Sequence, residues 1–455
     1  VMSIGWPFVG IMVLFVGMAM AEVCSSYPTA GGLYYWSAKL APPRSAPAWS
    51  WFTGWFNLLG QVAVTAGIDF GLAFFLGAFL NLTVKMTPDA PHIITIYGVV
   101  LIIHGLLNTF GIRLVALLND ISVWWHVLGV IIIVAAVLIG ARASLQSPGW
   151  TFTHFVNNTG FNFPGSNFYV FLIGLLLAQY TFTGYDASAH MTEETVNAAV
   201  AGPRGIVNSI LVSLFAGWVL LLGITAAIQN YDKVLASPTG APPVQIFLDA
   251  VGPTGGLILL LIVIGAQFFC GMSSVTANSR MLYAFSRDGA VPGSRLWHKV
   301  NPRTRTPTNS IWFCVVFSFI LGVPYLFNPE AYYAVTSIAV IGLYIAYVIP
   351  VFLRLLAGER FQRGPWHLGR WSYVVGWIAV VWVAFITILF MLPQVSPITR
   401  DNFNYAVVAV GVVVIFAGGW WIISAHNWFT GPKVQGSPEE LAAIEQELEA
   451  VGSAD

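Results

Sequence analysis

The chain has 455 residues, 57% of them hydrophobic and only 8% charged, with a formal net charge of zero. Soluble domains carry about 25% charged residues, so a chain this long with a mean hydropathy of +0.77 reads as a polytopic protein of the lipid bilayer and not as a water-soluble one. The charge balance offers no basic footprint for nucleic acid, and Cys24, Cys270 and Cys314 lie far apart in apolar runs, as small buried hydrophobes and not a disulfide or metal set.

Eleven apolar stretches are long enough to span, at about 4–24, 47–82, 93–111, 119–141, 167–190, 206–228, 254–284, 309–327, 331–356, 371–393 and 403–425. The second and seventh exceed a simple span and are expected to tilt or to run past the bilayer. The connections alternate in Lys and Arg. Of the nineteen, Lys85, Arg142, Lys233 and Arg400 fall on one side and all the others on the opposite side. The rich side is expected to be the cytoplasm, with the C-terminus on it. Eleven spans then put Val1 outside, without a basic flank or signal. The simplest reading is that one N-terminal span is missing and that the parent protein has twelve.

The connection 25–46 is glycine-rich and aromatic, and 286–308 is the strongest basic cluster, a topogenic loop. The tail reads as a short acidic helix: Ser437 as N-cap, Pro438 at the first position, Glu440 at capping-box spacing, and Leu441, Ile444 and Leu448 on one face.

The fifth stretch stands apart. It begins as an apolar helix at Phe168 and is then interrupted by Tyr180-Thr181-Phe182-Thr183-Gly184-Tyr185-Asp186, a glycine and a carboxylate where a span should be driest. A broken span frees backbone N–H and C=O groups, which membranes tolerate only against protein, water or a ligand. Intramembrane ionisable groups are costly and usually functional. Asp186, beside carbonyls freed at the end of a half-helix, suits an ammonium or a coupling cation; its other reading is a kink with a structural hydrogen bond. His126, inside the fourth stretch, is either a proton-coupling group or a histidine satisfied by a backbone carbonyl. Gln61, Thr65 and Asp69 share one helical face as a polar stripe that lines a pore, unless Asp69 sits at the outer mouth. His104 and Asn108 read as packing, Glu22 as paired with a loop group, and Tyr333, Thr336 and Ser337 as cavity-lining. Glu193, Glu194 and Arg204 form a candidate inner gate below the break. No metal-protease, phosphate-loop or paired-carboxylate signature is present, so no cofactor, metal or catalytic residue is expected.

Four blocks in register resemble one family. They are Ala21-Glu22-Val23-Cys24-Ser25-Ser26-Tyr27-Pro28-Thr29-Ala30-Gly31-Gly32-Leu33-Tyr34-Tyr35-Trp36; Phe182-Thr183-Gly184-Tyr185-Asp186; Thr192-Glu193-Glu194 with Gly202-Pro203-Arg204-Gly205-Ile206; and Thr276-Ala277-Asn278-Ser279-Arg280 through Arg287-Asp288-Gly289. The chain resembles the amino acid–polyamine–organocation superfamily, in particular its amino acid/choline branch with GABA and choline permeases. The second block is similar to that family's F-x-G-[FY]-[ED]. The resemblance implies an all-α, leucine-transporter-like fold of two inverted five-helix repeats plus two extra helices, with 11 of 12 spans present. It divides the chain into a transmembrane domain over 1–425 (a truncated first repeat 1–142, a second repeat 167–356, extra helices 371–425) and a cytoplasmic tail 426–455.

It also implies that the backbone of Tyr180 to Gly184 receives a substrate amine under a Phe182 or Tyr185 gate, while the carboxylate end belongs to the missing helix. His126 falls near a position where some sodium-independent relatives carry a lysine. Ser273 and Ser274 match a site-lining region, with helix packing as the other reading. The expected function is secondary active transport of amino acids or derived amines such as GABA across the cell membrane, by alternating access and driven by protons. Sodium coupling, exchange, and a receptor or scaffold of transporter ancestry are the alternatives. Nothing in the sequence sets the oligomeric state.

Overall fold

The structure, a computed structural model, describes residues 2–237 and 239–433; the tail helix expected from Ser437 onward lies outside them. Every regular element among the described residues is helical. In order they are α1 (Met2–Ser26), α2 (Gly32–Leu40), α3 (Ala46–Val84), α4 (Ala90–Phe110), α5 (Ile112–Gly140), α6 (Pro148–Thr153), α7 (Ser166–Thr181), α8 (Ala187–His190), α9 (Ala198–Ala226), α10 (Tyr231–Leu235), α11 (Pro242–Arg287), α12 (Ser294–Trp297), α13 (Thr308–Gly322), α14 (Ala331–Ala357), α15 (Ser372–Met391) and α16 (Ala406–Ile423), with short 3-10 turns between. Ten of these segments are long and apolar enough to cross a membrane, and α7 is a shorter apolar helix. The chain is an all-α polytopic membrane protein.

Helix ends follow local chemistry. Asp89 caps α4 by accepting the His92 N–H, Ser147 caps α6 through the Trp150 N–H, and Asn230 caps α10 through the Lys233 N–H. The helix that carries the seventh stretch starts earlier than expected, at Pro242, and α11 is two helices meeting at a kink where Gly252 takes φ 74° just before Pro253. α9 starts at Ala198, earlier than expected from hydropathy, and contains Pro203.

Its proline explains how α9 is held. Pro203 has no N–H to give the carbonyl of Ala199, and that carbonyl instead accepts from the Ser25 hydroxyl of α1 at 2.7 Å. Pro7 of α1 likewise frees the carbonyl of Ser3, which accepts from the Trp218 indole of α9 at 2.8 Å. Trp6 donates to the Leu214 carbonyl at 3.0 Å between them. Two prolines that weaken their own helices thus pin α1 to α9 along their length.

The centre of the bundle is α3, packed on α14, α11, α2, α4 and α13. Its approach to α14 is close enough that backbones touch: a Cβ on Gly342 would lie 3.0 Å from the Cα of Gly60. Small residues at such crossings let apolar helices gain van der Waals contact where water supplies no driving force. At one end of α3, Trp51 collects Trp55, Trp420, Trp421, Trp428 and Phe429 with ring centroids 5.0 to 5.9 Å away. Its indole N–H donates to the Ala417 carbonyl at 2.9 Å, so this cage ties α16 to the core.

Candidate functional site

The break between α7 and α8 is built by one glycine and two tyrosines. Gly184 takes φ 85°, a left-handed conformation that glycine adopts without steric cost. The groups this frees are met from α14. Tyr344 donates its hydroxyl to the Phe182 carbonyl at 2.7 Å. The Gly184 N–H donates to the Tyr347 oxygen at 3.2 Å, and the Tyr347 hydroxyl in turn donates to Asp186 Oδ1 at 2.6 Å. Thr183 turns its hydroxyl back onto the Tyr180 carbonyl at 2.7 Å. Among the described residues the carbonyls of Thr181 and Thr183 meet no donor. They stand at the C-terminal end of α7, where the helix dipole favours positive charge. Thr181 to Tyr185, with Ser209, Ile210 and Ser213 of α9, line a cleft of about 130 Å³. Phe182 packs on Trp6 at 4.7 Å and Tyr185 on Tyr347 at 4.8 Å, both rings buried.

Asp186 itself is fully buried and does not line that cleft. Its Oδ2 accepts from the Gln61 amide at 2.7 Å and lies 3.2 Å from His190 Nε2. Gln61 begins the polar stripe of α3. One turn on, the Thr65 hydroxyl lies 2.8 Å from that of Ser274 on α11, and Asn278 donates to Thr65 at 3.4 Å. One further turn brings Asp69, whose Oδ2 is 3.1 Å from His104 Nδ1, both fully buried. Asp69 is therefore interior, not at an outer mouth, and His104 is more than packing: it is half of an acid–imidazole pair. Asn108 braces it by donating to the His104 and Met272 carbonyls at 3.0 and 3.2 Å. Two buried Asp–His pairs thus cap a stripe about 12 Å long at 1.5 Å rise per residue.

The other expected residues lie apart from this line. Glu194 makes a two-bond pair with Arg280 at 2.7 and 3.0 Å, and Glu193 accepts the Ala30 N–H at 3.0 Å with Arg287 at 3.9 Å. Arg204, the cation expected there, is exposed, and the two glutamates pair instead with Arg280 and Arg287 of α11. Glu194 and Arg280 line a cavity of about 240 Å³ with Asn108, Thr276 and Arg305, on the side of the basic connections. Tyr333 is exposed and lines a cavity of about 340 Å³ with Glu330, Ser337 and Asn404. His126 lies on an exposed face of α5, its Nδ1 held by the Ser122 carbonyl at 2.7 Å, outside the buried network. Ser273 donates to Asn119 at 2.8 Å, away from its neighbour Ser274. Glu22 has the loop partners expected of it, the Leu368 N–H and the Ser372 hydroxyl, and also Arg354 at 3.2 Å. At the basic end Tyr34 donates to Asp288 at 2.7 Å and the Lys433 N–H donates to the same carboxylate at 3.1 Å. Burial holds the Asp288 carboxyl above the usual carboxylate range despite these donors and Arg287.

The amino acid permease family matches residues 1–415. The amino-acid permease BAT1 of Arabidopsis thaliana is 45% identical over 443 residues, covering 94% of this chain and 85% of the relative. Its homolog from Oryza sativa is 44% identical over 95% of this chain and 85% of the relative. An uncharacterized amino-acid permease of Schizosaccharomyces pombe is 34% identical over 94% of this chain and 79% of the relative. The chain belongs to the amino acid permease family.

The permease is accordingly a multi-pass membrane transporter of amino acids, and the broken helix lies inside the matched region. The groups that shape its break were hidden in the sequence. Tyr344 and Tyr347 sit in an apolar run more than 150 residues away. His190 carried the one readable signal, a spacing of i, i+4 from Asp186 that puts both on one side of a helical turn.

Proposed function

We propose that this permease is a proton-driven secondary transporter of amino acids or amino-acid-derived amines, working by alternating access. Its substrate amine is received at the end of α7 by the carbonyls of Thr181 and Thr183, with Phe182, Gly184 and Tyr185 shaping the cleft and Tyr180 turned toward Gly67 of α3 as a further candidate contact. The observation that carries this reading is the broken helix: a left-handed glycine, freed carbonyls and a cleft at one place in an apolar span. Unpaired backbone at membrane depth is sustained where it meets a cavity or a ligand, and a helix C-terminus is suited to an ammonium group. Thr65 and Ser274, whose hydroxyls meet between α3 and α11, are further candidate substrate contacts, and Asp186, buried behind the cleft, is the candidate coupling group. Glu193 and Glu194, tied to α11 and to Ala30, act as the gate on the basic side. That side is assigned to the cytoplasm, and with it the C-terminus, by its excess of Lys and Arg. Residues 1–142 and 167–356 form the two repeats of this reading.

The test is uptake of a labelled amino-acid panel, with GABA included, by purified protein in liposomes. Saturable accumulation that rises with an inward proton gradient is expected. Binding without accumulation of any member supports a receptor instead, and accumulation driven by sodium alone removes the proton.

A further inference from the structure

His190 is held between two oxygens. Its Nδ1 lies 3.1 Å from the carbonyl of Ala30, in the connection between α1 and α2, and its Nε2 lies 3.2 Å from Asp186 Oδ2. Both side chains are fully buried. A carbonyl only accepts, so Nδ1 carries a hydrogen. If the ring is then neutral, Nε2 is an acceptor, and it faces Asp186 favourably only when that carboxyl is protonated. If the carboxylate is ionised, Nε2 must also carry a hydrogen and the ring is a cation. Either assignment gives the pair one proton more than a neutral ring beside an ionised carboxylate would hold. Without that proton, two acceptors face each other inside a buried site with one net negative charge, which is costly.

Resting on the proton-driven reading above, we propose that the Asp186–His190 pair is the site of the coupling proton, and that this proton latches the Ala30 connection to α8. Ala30 is held on both its polar groups: its carbonyl by His190 and its N–H by Glu193 at 3.0 Å. Deprotonation breaks the His190 arm: the one remaining ring hydrogen moves to Nε2, where it meets the ionised Asp186 carboxylate, and leaves a lone pair on Nδ1 against the Ala30 carbonyl. The remaining arm, at Glu193, is partly exposed and shared with Arg287. The connection is released on the basic side, and the proton leaves to water there; the pair is recharged from the opposite side with the latch closed.

The other titratable groups around the pair are consistent with this role. Tyr185 precedes Asp186 in the chain and packs its ring on Tyr344 and Tyr347 of α14. Tyr347 already donates to Asp186. From α3 comes the neutral amide of Gln61. From α11 come Arg280 and Arg287, both engaged with Glu194 and Glu193, while Arg204 of α9 is exposed. Tyr34 of α2 is committed to Asp288. His190 is thus the imidazole in hydrogen-bond reach of Asp186, with a second ring nitrogen that can take the proton.

Proteoliposomes containing the full chain test this with whichever panel amino acid the wild type accumulates. His190→Gln keeps an N–H for Ala30 but carries no proton. It is expected to lose at least about ten-fold of the accumulation added by a pH gradient, while the pH profile of substrate exchange without a gradient flattens. Gradient-driven accumulation by His190→Gln equal to wild type overturns the proposal. A wild type indifferent to the gradient overturns the proton-driven reading itself, a separate result. A second measurement needs no variant: amide exchange in the peptide around Ala30, corrected for intrinsic rate, is expected to rise between about pH 5 and 8 relative to the middle of α3. An unchanged ratio overturns the latch even if His190→Gln fails to fold.

Discussion

A hydroxyl that accepts from one group and donates to another is harder to replace than one that only donates. Tyr347 takes the Gly184 N–H and gives to Asp186, whereas Tyr344 gives to the Phe182 carbonyl alone. Each buried group left without a partner costs about 1–3 kcal/mol, so Tyr347→Phe should lower the melting temperature more than Tyr344→Phe, and both should depress uptake. Equal melting temperatures would show that the Gly184 contact is idle. The ion pairs separate the same way by burial. Glu22 and Arg354 are 1% and 4% exposed, while the Lys233 side chain, paired with Asp249, is 57% exposed. Arg354→Met leaves a buried carboxylate uncompensated and should cost about 3–5 kcal/mol, whereas Lys233→Ala should cost under about 1 kcal/mol. Denaturation in mild detergent checks the contrast. At this scale the sequence showed Asp186 by its setting, but not its partners. Gln61, Tyr347 and His190 meet it through three different elements, and no local pattern encodes which distant side chain closes such a shell. The same limit explains Arg204, which is a neighbour of the glutamates in sequence but faces outward, leaving the pairing to Arg280 and Arg287.

At the scale of elements, what was readable depended on hydropathy and on residues with strong backbone preferences. The ten long apolar helices, the shorter apolar α7 and the break at Gly184 follow from these alone. α2 did not: its nine residues were expected as part of an interfacial loop, and it is helical because Leu33, Tyr34, Trp36 and Leu40 are buried, against α3 among other elements, a tertiary cause. The α1–α9 contact is likewise a consequence of two prolines, each of which frees a carbonyl four residues back, on Ala199 and Ser3, to find a donor across the gap. Ser25→Ala should strand the Ala199 carbonyl, costing about 1–3 kcal/mol, while Ser26→Ala should do less: both hydroxyls accept a distant N–H, of Trp366 and Gly364 respectively, but Ser26 donates only to the Glu22 carbonyl of its own helix. Gly60→Val should be more severe than either. Its Cβ would fall 2.7 Å from the Leu343 backbone nitrogen, forcing α3 and α14 apart and displacing Tyr344 and Tyr347 from the break. Loss of uptake in protein that still reaches the membrane is the expected outcome. Normal uptake would show that the α3–α14 crossing tolerates widening.

For the whole molecule, one pH-dependent term can be signed. The Asp288 carboxyl is held above its usual range in the folded protein by burial, so the folded state binds that proton more tightly than the unfolded one. Its contribution to stability is complete below the ordinary carboxylate pKa and is lost as pH rises through the raised value. Asp288→Asn should therefore flatten the fall in melting temperature over that window while keeping an acceptor for Tyr34 and Lys433. A slope equal to wild type would place the dependence elsewhere. Architecture was legible at this scale because composition and spacing report solvent, and lipid imposes helices. The link between the two Asp–His pairs was not, because it runs across α3, α4, α8 and α11 and exists only when they are packed.

The indole cage around Trp51 gives the molecule an optical signature. Chromophores held 5.0 to 5.9 Å apart at fixed tilts couple their transition dipoles, so the cage should produce a circular-dichroism couplet in the ultraviolet that Trp51→Phe weakens, leaving the Trp55–Trp420 and Trp420–Trp428 pairs. Because that cage joins α3 to α16, the couplet's amplitude reports whether α16 stays docked during a transport cycle, without any label.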